Sequence, residues 1–461
     1  MISLPPSQPS LWRGDYGAGF RWGCATSAYQ IEGATTADGR GASIWDTFCA
    51  RPGTIRDGSS GAMACDHYHR WQEDIDLAST LGINAYRFSI AWPRIFPEGC
   101  GKQPNAQGLA FYSRLIDGLL ARGIEPWPTL YHWDLPQGLQ DRGGWGNRVT
   151  VDAFVDYADA ATRILGDRVK RWITHNEPWC SAFLGHLEGV HAPGMRDLPA
   201  ALQACHHILL SHGSAIPVIR NNVKDAQVGI ALSLHPIYPA SETAEDRQAM
   251  IRHDGLRNRW FLDPLHGRGY PDDIWHHLGD AAPVVSTGDM ANISAATDFL
   301  GINYYFPETV TNAPDRSPIG TRVVERHGVE RTAFGWEVSP KGMIDLLTRV
   351  ANDYAPKRIY ITENGSCYDD AVDTNGCIND TGRRSFLMRH LEALRTAIQS
   401  GIPVQGYFTW SLLDNFEWAE GYTRRFGLTY IDYVTQRRSL KLSGEWYRDF
   451  LHDSPNTHSH R

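Results

Sequence analysis

The chain of 461 residues lacks the features that mark several large classes of protein. It has no stretch approaching roughly 18 uncharged apolar residues, so we expect no membrane-spanning helix. Its first residues have no basic start followed by an apolar core, so we expect no secretory signal peptide. Lys and Arg number 44 against 52 Asp and Glu, without a basic run, which argues against a nucleic-acid partner.

Several cysteine and nucleotide motifs are also missing. The eight cysteines include no Cys-x-x-Cys pair, which in a chain this long is typical of reduced, mostly buried thiols in a cytoplasmic protein. No GxGxxG, P-loop or GxSxG motif is present, so neither nucleotide binding nor a serine nucleophile is indicated. The segment CDHYHR at 65–70 has metal-ligand residue types, but a helix would turn them to divergent faces. We therefore expect no metal and no cofactor.

Aromatic residues are what the chain has in excess. Its 16 Trp and 19 Tyr are more than a core of this size needs. Aromatic rings in a cleft pack well against sugars, because the axial C–H groups of a sugar ring form an apolar face. Large core side chains account for many of these aromatic residues but not for all of them.

The order of strand-like and helical segments predicts the fold. Eight apolar runs alternate with segments of helical periodicity, and several of the helices end at a glycine. This alternation is typical of an α/β protein built as one (β/α)8 TIM barrel, here over residues 13–453, with flexible tails at 1–12 and 454–461. An open doubly wound sheet would need a Gly-rich turn after an early strand. The predicted strands are 19–30, 85–92, 124–133, 171–178, 227–239, 297–305, 358–365 and 404–416, and the predicted helices are 66–82, 109–123, 150–166, 198–216, 339–354 and 381–401.

In such a barrel the active site forms at the C-terminal ends of the strands. Two of the side chains at that end are glutamates, Glu177 and Glu363, on the fourth and seventh predicted strands. Two facing carboxylates are what glycoside hydrolysis requires, because one donates a proton and the other acts as base or nucleophile. The other polar and aromatic residues at these strand ends are Gln30, Arg87, Trp92, His132, Trp133, Asn176, Asn303, Tyr305, Asn364, Trp410, Glu417 and Trp418.

Eight stretches of the sequence carry a family resemblance. Two of them surround the glutamates: WITHNEPW at 172–179 and ITENG at 361–365. Together the eight strongly resemble glycoside hydrolase family 1, in particular its bacterial β-glucosidases, and they run in the order found in that family. The other six are AGFRWGCATSAYQIEG (18–33), YRFSIAWPRIFP (86–97), LYHWDLPQGL (130–139), GVHAPG (189–194), LGINYY (300–305) and GYFTWSLLDNFEW (406–418).

The resemblance implies a retaining, exo-acting β-glucosidase, with β-D-galactosides or fucosides as further substrates. Glu363 matches the family's nucleophile and Glu177 its acid/base. Enzymes of this type hold the two carboxyl groups roughly 5–5.5 Å apart. The expected partners are small β-glucosides such as cellobiose, short cello-oligosaccharides and aryl glucosides, and an oligomer is possible.

Other residues match family positions around the sugar. Arg87 and Tyr305 match the groups that support the charged nucleophile, and Asn176 matches the group that holds the sugar 2-hydroxyl. Trp336 matches an aromatic residue that often lines the aglycone side. The remaining residues expected to bind substrate are Gln30, His132, Asn303, Trp410, Glu417 and Trp418.

Two other functions stay open from the sequence. A 6-phospho-β-glycosidase would share the fold, but Glu417 would repel a phosphate, even though Arg424 and Arg425 follow shortly after. A non-catalytic sugar-binding barrel would be indicated by the loss of either glutamate, and both are present. Cys180, three residues beyond Glu177, is interpreted as a packing residue.

The end of the fourth predicted strand raises two structural questions. Regular alternation would send Asn176 and Glu177 to opposite faces, so both serve one site only if the strand breaks, and Pro178 supplies a break. His175 occupies a position where the family more often has an apolar residue. We expect it to pack between strand and helix; the alternative is that it faces Glu177 and influences the acid/base.

Overall fold

Eight parallel strands close into a barrel with helices around it, which confirms the predicted fold. The computed structural model describes residues 11–452, so the predicted tail segments 1–10 and 454–461 lie outside the described residues. The strands follow one another around the barrel in chain order, and the first pairs with the last. They are β1 Arg21–Ala25, β2 Ala85–Ser89, β3 Glu125–Tyr131, β4 Arg171–Asn176, β5 Gln227–Ser233, β6 Phe299–Asn303, β7 Ile359–Asn364 and β8 Val404–Trp410.

The predicted strands have the right positions but extend too far at their C-terminal ends. The first ends at Ala25, and Gln30 lies instead on a short helix, Ala28–Ile31. The fifth ends at Ser233, and residues 237–239 pair in a separate small sheet. The residues just beyond the strands therefore belong to loops, and these loops carry much of the site.

A helix follows each barrel strand, and most of these helices bury an apolar face toward the barrel. In the helix Val149–Leu165, for example, Phe154, Ala158 and Ala161 are buried at a spacing of three to four residues. The glycines predicted to end three helices, Gly82, Gly123 and Gly401, all have positive φ, as expected for a helix stop. The eight helices are α1 His67–Thr80, α2 Ala106–Ala121, α3 Val149–Leu165, α4 Leu198–Asn222, α5 Ala244–Asp254, α6 Pro340–Tyr354, α7 Thr381–Gln399 and α8 Leu442–His452.

Shorter elements fill the connections. Their α-helical segments are Ala28–Ile31, Ile44–Cys49, Trp92–Ile95, Gln137–Gln140, Trp260–Leu265, Asp272–Leu278 and Asp289–Ile293, and two further helical segments of π type are Cys180–Glu188 and Gly255–Arg259. The 3₁₀ turns are Arg13–Tyr16, Ala37–Gly39, Gly144–Gly146, Gly279–Ala281 and Trp418–Glu420. Two small sheets outside the barrel contain Ile237–Pro239, Glu308–Asn312 and Thr321–Val323, and Thr429–Ile431 and Arg438–Leu440.

The interior of the barrel is filled by aromatic side chains. The ring of Trp127 lies 4.7 Å from that of Tyr360, 5.1 Å from that of Phe408 and 5.5 Å from that of Phe299, measured between centroids. All four residues are buried. The barrel is therefore closed by a packed core, and a ligand can enter only above it.

The N-terminal ends of the strands carry a compact ionic cluster. Glu125, at the start of β3, accepts hydrogen bonds from Arg21 (2.5 Å) and from Arg171 (2.8 Å). The indole N–H of Trp127 donates to the same carboxylate at 3.1 Å, and the Arg171 guanidinium lies over the Trp127 ring. Burial raises the pKa of Glu125, but Arg171 and Arg21 outweigh it and leave this pKa below its usual value. Both oxygens of this carboxylate are thus occupied by protein donors.

His175 packs between β4 and the surrounding helices, as expected. Its ring stacks on that of Phe154 at 4.3 Å, and its Nε2 lies 2.8 Å from the hydroxyl of Ser211. Complete burial holds the pKa of His175 well below its ordinary range. The alternative orientation toward Glu177 is therefore wrong.

Neither a membrane span nor a metal cluster is found in the part of the chain that the structure describes. Within residues 11–452 no helix is long and apolar enough to cross a membrane. The same residues contain no group of three or more His, Cys, Asp or Glu that could hold a metal ion. In the segment 65–70, His67 is buried against Asp74, whereas His69 is exposed and bonded to Asp66.

Candidate active site

A cavity of about 450 Å³ lies at the C-terminal ends of the barrel strands. Glu177 and Glu363 both line it, so the fold brings together two residues that are 186 positions apart in the sequence. Eight of the predicted site residues line the cavity, namely Glu177, Glu363, His132, Tyr305, Trp336, Trp410, Glu417 and Trp418. The other four, Gln30, Arg87, Asn176 and Asn303, are buried next to these residues.

The backbone turns sharply at the end of β4. Glu177 has a φ of 46°, a left-handed conformation that is uncommon for a residue with a side chain, and Pro178 begins the following helical turn. The backbone N–H of Glu177 is held by the carbonyl of Ala231 on β5, at 2.8 Å. The break predicted at Pro178 thus occurs one residue earlier, and it allows Asn176 and Glu177 to reach the same site.

The carboxylate of Glu177 has two neutral neighbours. Its Oε1 accepts from the side-chain amide of Asn303 at 2.9 Å, and the Cys180 thiol lies 3.3 Å from its Oε2. Cys180 also lines the cavity, so describing it as a packing residue was incomplete. Both neighbours are uncharged donors, and Glu177 has no ion pair among the described residues.

The carboxylate of Glu363 has stronger partners. The guanidinium of Arg87 donates to its Oε1, and the phenol of Tyr305 donates to its Oε2 at 2.6 Å. Gly365 ends the ITENG stretch because a Cβ there would lie 1.8 Å from the carbonyl oxygen of Trp410. Only glycine allows the ends of β7 and β8 to approach this closely.

Three carboxyl groups, those of Glu177, Glu363 and Glu417, line the same cavity. Burial raises the pKa of Glu363 to about 7, although Arg87 pulls it down, and the negative charge of Glu177 raises it further. Burial, followed by the charges of Glu363 and Glu177, raises the pKa of Glu417 to about 8. Carboxylates this close cannot all ionise at neutral pH. Because Arg87 and Tyr305 both donate to Glu363, a negative charge is best stabilised on that carboxyl group.

Asn176 joins the two glutamates through a hydrogen-bond network. Its side-chain oxygen accepts from Arg87 at 2.6 Å and from Asn303 at 2.9 Å, and its Nδ2 lies 3.0 Å from Nε2 of His132. Arg87 and Asn303 in turn donate to Glu363 and to Glu177. The amide of Asn176 is therefore fixed in orientation, and a continuous set of hydrogen bonds links the two glutamates.

Next to the two glutamates, two polar atoms have no hydrogen-bond partner within residues 11–452. They are Nδ1 of His132, whose side chain is buried, and Oε2 of Glu417, whose side chain is half-buried. Burial keeps the pKa of His132 well below its usual value, so the ring is neutral, and with Nε2 accepting from Asn176 its Nδ1 carries the proton. A free N–H and a free carboxyl oxygen suit the hydroxyl groups of a sugar.

Gln30 lies close to this wall but is bonded to protein. Its Nε2 donates to Asn415 at 3.0 Å and to the carbonyl of Phe416 at 2.9 Å, and its oxygen accepts from Ser27 at 2.6 Å. These contacts hold the loop that carries Glu417. Gln30 therefore positions that residue, in addition to any contact with a sugar.

Aromatic rings form the remaining walls. Trp410 and Trp418 each stack on the His132 ring at 5.9 Å between centroids, and Trp336 packs on Tyr305 at 5.2 Å. The sequence did not single out several further lining residues: Trp179, Ser233, His235, Arg257, Glu308 and Phe334. No motif surrounds Arg257 or Glu308, so only their position in the fold identifies them.

The amino-acid sequence matches a known enzyme family over nearly its whole length. The model of Glycosyl hydrolase family 1 matches residues 13–455 of the chain. The chain belongs to this family. The expected class of enzyme, a glycoside hydrolase of the β-glucosidase type, is thereby confirmed, as is the expected resemblance.

Relatives from bacteria and plants are similar over almost the whole chain. Beta-glucosidase A of Thermotoga maritima is 48% identical, covering 94% of this chain and 97% of that protein. Beta-glucosidase 4 of Oryza sativa is 43% identical over 95% of each. Among solved structures, the beta-glucosidase of Thermotoga maritima in complex with glucoimidazole has a TM-score of 0.91 and 48% identity, with 94% and 98% of the two chains covered.

Proposed function

We propose that the protein is a retaining, exo-acting β-glucosidase that removes terminal β-D-glucosyl residues from small β-glucosides. The names of its relatives support glucose as the sugar, and β-D-galactosides and fucosides are included as further substrates. The observation that carries the retaining mechanism is the unequal environment of the two carboxyl groups. Glu363 has a cation and a phenol, whereas Glu177 has an amide and a thiol.

In the first step Glu363 attacks the anomeric carbon. The bond to the leaving oxygen breaks while Glu177 passes its proton to that oxygen, which gives a glycosyl ester on Glu363 and a free aglycone. Arg87 and Tyr305 keep Glu363 charged before the attack, and positive charge develops on the sugar ring opposite it. The Tyr305 hydrogen bond is released as the ester forms.

In the second step water replaces the ester. With the charge of Glu363 consumed, Glu177 is free to take a proton from a water molecule, whose oxygen then bonds to the anomeric carbon. The ester bond breaks, Glu363 regains its negative charge and Glu177 its proton. Two inversions at the anomeric carbon leave the sugar in its original β configuration.

Proton NMR of the first sugar released tests the mechanism. We expect β-D-glucose to appear before the α anomer, and Glu363→Ala to lower kcat/KM by at least about 10⁴-fold. Glu445→Ala, at an exposed position on α8, is the matched control and should keep wild-type rates. Release of the α anomer first, or a Glu363→Ala variant of full activity, would contradict the proposal.

Unphosphorylated sugars are favoured over 6-phosphates by the charges of the cavity. Glu417 lines it, and the two nearby arginines are already engaged: Arg424 with Glu420, and Arg425 with Asp414. Beside Glu417 a phosphate would therefore meet a carboxylate, while both of these arginines are paired with other carboxylates. Comparing rates on 4-nitrophenyl β-D-glucoside and its 6-phosphate decides between them. A preference for the phosphate would exclude our choice.

A further inference from the structure

A cluster of buried charges joins the loops that follow β7 and β8. Six side chains form it, three acidic and three basic, so their formal charges cancel. Five of them are at most 1% exposed, and that of Arg425 is 17% exposed. None of the six lines the active-site cavity. The members of this charge cluster are Asp370, Asp380, Asp414, Arg383, Arg425 and Lys441.

Lys441 lies between the two loops. Its Nζ is 2.5 Å from Oδ2 of Asp370 and 2.6 Å from Oδ1 of Asp414. Asp370 is on the loop after β7, seven residues beyond Glu363. Asp414 is on the loop after β8, three residues before Glu417. One ammonium group therefore connects the loop that follows the proposed nucleophile to the loop that carries Glu417.

Asp414 is held from several directions. Its Oδ1 accepts from the ammonium group of Lys441 and, at 2.9 Å, from the backbone N–H of Gly427. Its Oδ2 accepts from Arg425 at 2.6 Å. The backbone N–H of Asp414 donates to the carbonyl of Thr429 at 2.9 Å. Both the side chain and the backbone of this residue are thus fixed.

Arg383 holds the loop after β7 in a similar way. Its Nε donates to the carbonyl of Ser366, three residues beyond Glu363, at 3.1 Å. Its Nη2 lies 2.7 Å from Oδ2 of Asp370 and also donates to the carbonyl of Arg425 at 2.7 Å. The two loops are therefore bonded to each other by Arg383 as well as by Lys441.

Buried charges are an unfavourable way to fill a protein interior. Moving them out of water carries a large desolvation penalty, and replacing a buried ion pair by well-packed apolar residues is often neutral or stabilising. Charged hydrogen bonds provide what apolar contacts do not, a defined direction and distance between two groups. The charge cluster is therefore better suited to fixing the separation of two loops than to stabilising the fold.

Glu417 is a group that requires such support. Its Oε2 has no hydrogen-bond partner among the described residues, so the position of the carboxyl group depends on the backbone that carries it. Gln30 holds this loop through Asn415 and the carbonyl of Phe416. Asp414 is a second attachment, and it leads through the charge cluster to the loop after β7.

We propose that Lys441 is a positioning residue that sets the distance between Glu417 and Glu363, and hence between the sugar and the nucleophile. The inference rests on the proposed β-glucosidase function, in which Glu417 binds hydroxyl groups of the sugar. A displaced Glu417 would hold the sugar in a less reactive position, and small misplacements of reacting groups cost large factors in rate. Lys441 acts through Glu417, since it does not line the cavity itself.

Combined variants separate this role from a general contribution to stability. Lys441→Met removes the ammonium group but keeps an unbranched side chain, and the same change is made in a Glu417→Ala background. Asp370→Asn together with Lys441→Met is the charge-balanced variant, because it removes one charge of each sign without restoring the link between the loops. Lys341→Met is the matched control, since the Lys341 side chain is 80% exposed on α6 and pairs with Asp345.

We expect Lys441→Met to lower kcat/KM for 4-nitrophenyl β-D-glucoside by about 10- to 30-fold, but by no more than about twofold when Glu417 is already alanine. Urea unfolding should show a loss of stability in Lys441→Met, because a negative charge is left in excess. The charge-balanced variant should recover most of this stability and none of the activity, and Lys341→Met should keep wild-type rates. If Lys441→Met does not fold, the charge-balanced variant is measured in both backgrounds with the same expectation.

Equal losses in the wild-type and Glu417→Ala backgrounds would overturn the inference. Full activity of Lys441→Met or of the charge-balanced variant would also overturn it, and the β-glucosidase proposal would stand in each case. A wild-type protein that does not hydrolyse the aryl glucoside would instead overturn the proposed function. The two failures are therefore distinguishable in one set of measurements.

Discussion

Each end of the barrel holds a half-buried carboxylate near a tryptophan, Glu125 at one end and Glu417 at the other, and the two have opposite surroundings. At the N-terminal end Glu125 is bonded to Arg21, Arg171 and the indole of Trp127, and its pKa lies below the usual value. At the C-terminal end Glu417 has no ion pair within residues 11–452, and its pKa rises to about 8. Protein donors therefore occupy both oxygens of the Glu125 carboxylate, whereas Oε2 of Glu417 has no protein partner within residues 11–452.

The difference separates a structural group from a binding group. A buried polar atom without a partner costs free energy, so a fold retains it where a ligand supplies the missing bond. Protein donors satisfy the carboxylate of Glu125, whereas the proposed sugar-binding role of Glu417 would account for the bond that its Oε2 lacks within residues 11–452. Both residues are glutamates, so residue type does not distinguish Glu125 from Glu417. The number of hydrogen bonds that each carboxyl group already makes to protein does distinguish them.

The largest effect on activity is expected from removing Glu417, the carboxyl group that lacks a protein partner for Oε2. Glu417→Ala is expected to lower kcat/KM for glucosides by about 100-fold, because hydroxyl groups that it would bind lose their partner. Its free energy of unfolding should stay the same or increase, since an unsatisfied buried carboxyl is removed. Steady-state kinetics and urea unfolding measure both quantities. A large loss of stability would show that Glu417 is a structural group after all.

Tyr305→Phe should sharpen the account of the charged nucleophile. The Tyr305 hydrogen bond lowers the pKa of Glu363, so its loss raises that pKa above its present value of about 7. Because Glu363 reacts only when charged, the acidic limb of the kcat/KM profile should move to higher pH by about one unit, with a loss of about tenfold near neutral pH. An unshifted acidic limb would remove Tyr305 from this role. Tyr304→Phe, at the neighbouring position bonded to Ser339, is the control.

Glu125→Gln should have the smallest effect on activity. The variant leaves Arg21 and Arg171 without a negative partner, so the free energy of unfolding should fall by about 1–3 kcal/mol. Since the cluster is at the far end of the barrel from the cavity, kcat/KM should stay within about twofold of wild type. Denaturant unfolding measures the free energy of unfolding, and steady-state kinetics at one pH measure kcat/KM. A tenfold loss of activity without a loss of stability would invalidate the contrast between the two ends.

The sequence predicts the barrel well because its signals are local. Each strand is an apolar run between turn residues, and three of the predicted helix stops, Gly82, Gly123 and Gly401, have the positive φ that such stops need. The two glutamates could also be found, because each lies at the C-terminal end of a strand within a short recognisable stretch. Here periodicity and motif point to the same positions.

The rest of the site depends on contacts that no pattern records. Gln30 was expected at the end of a strand, but a helical turn places it against the loop that carries Glu417. Arg257 comes from a helical segment between strands, and it joins Ser233 and His235 only through the fold. Its charge gave no hint of this position, since most arginines lie on solvated surfaces.

The left-handed backbone of Glu177 bears on how the protein can evolve. A residue with a side chain pays roughly 1–2 kcal/mol in this region of backbone space, whereas glycine or asparagine enters it more easily. On the proposed mechanism, a substitution by glycine or asparagine that relieved this backbone strain would also remove the proton donor. The strain at Glu177 would then be the cost of placing an acid at this point of the turn.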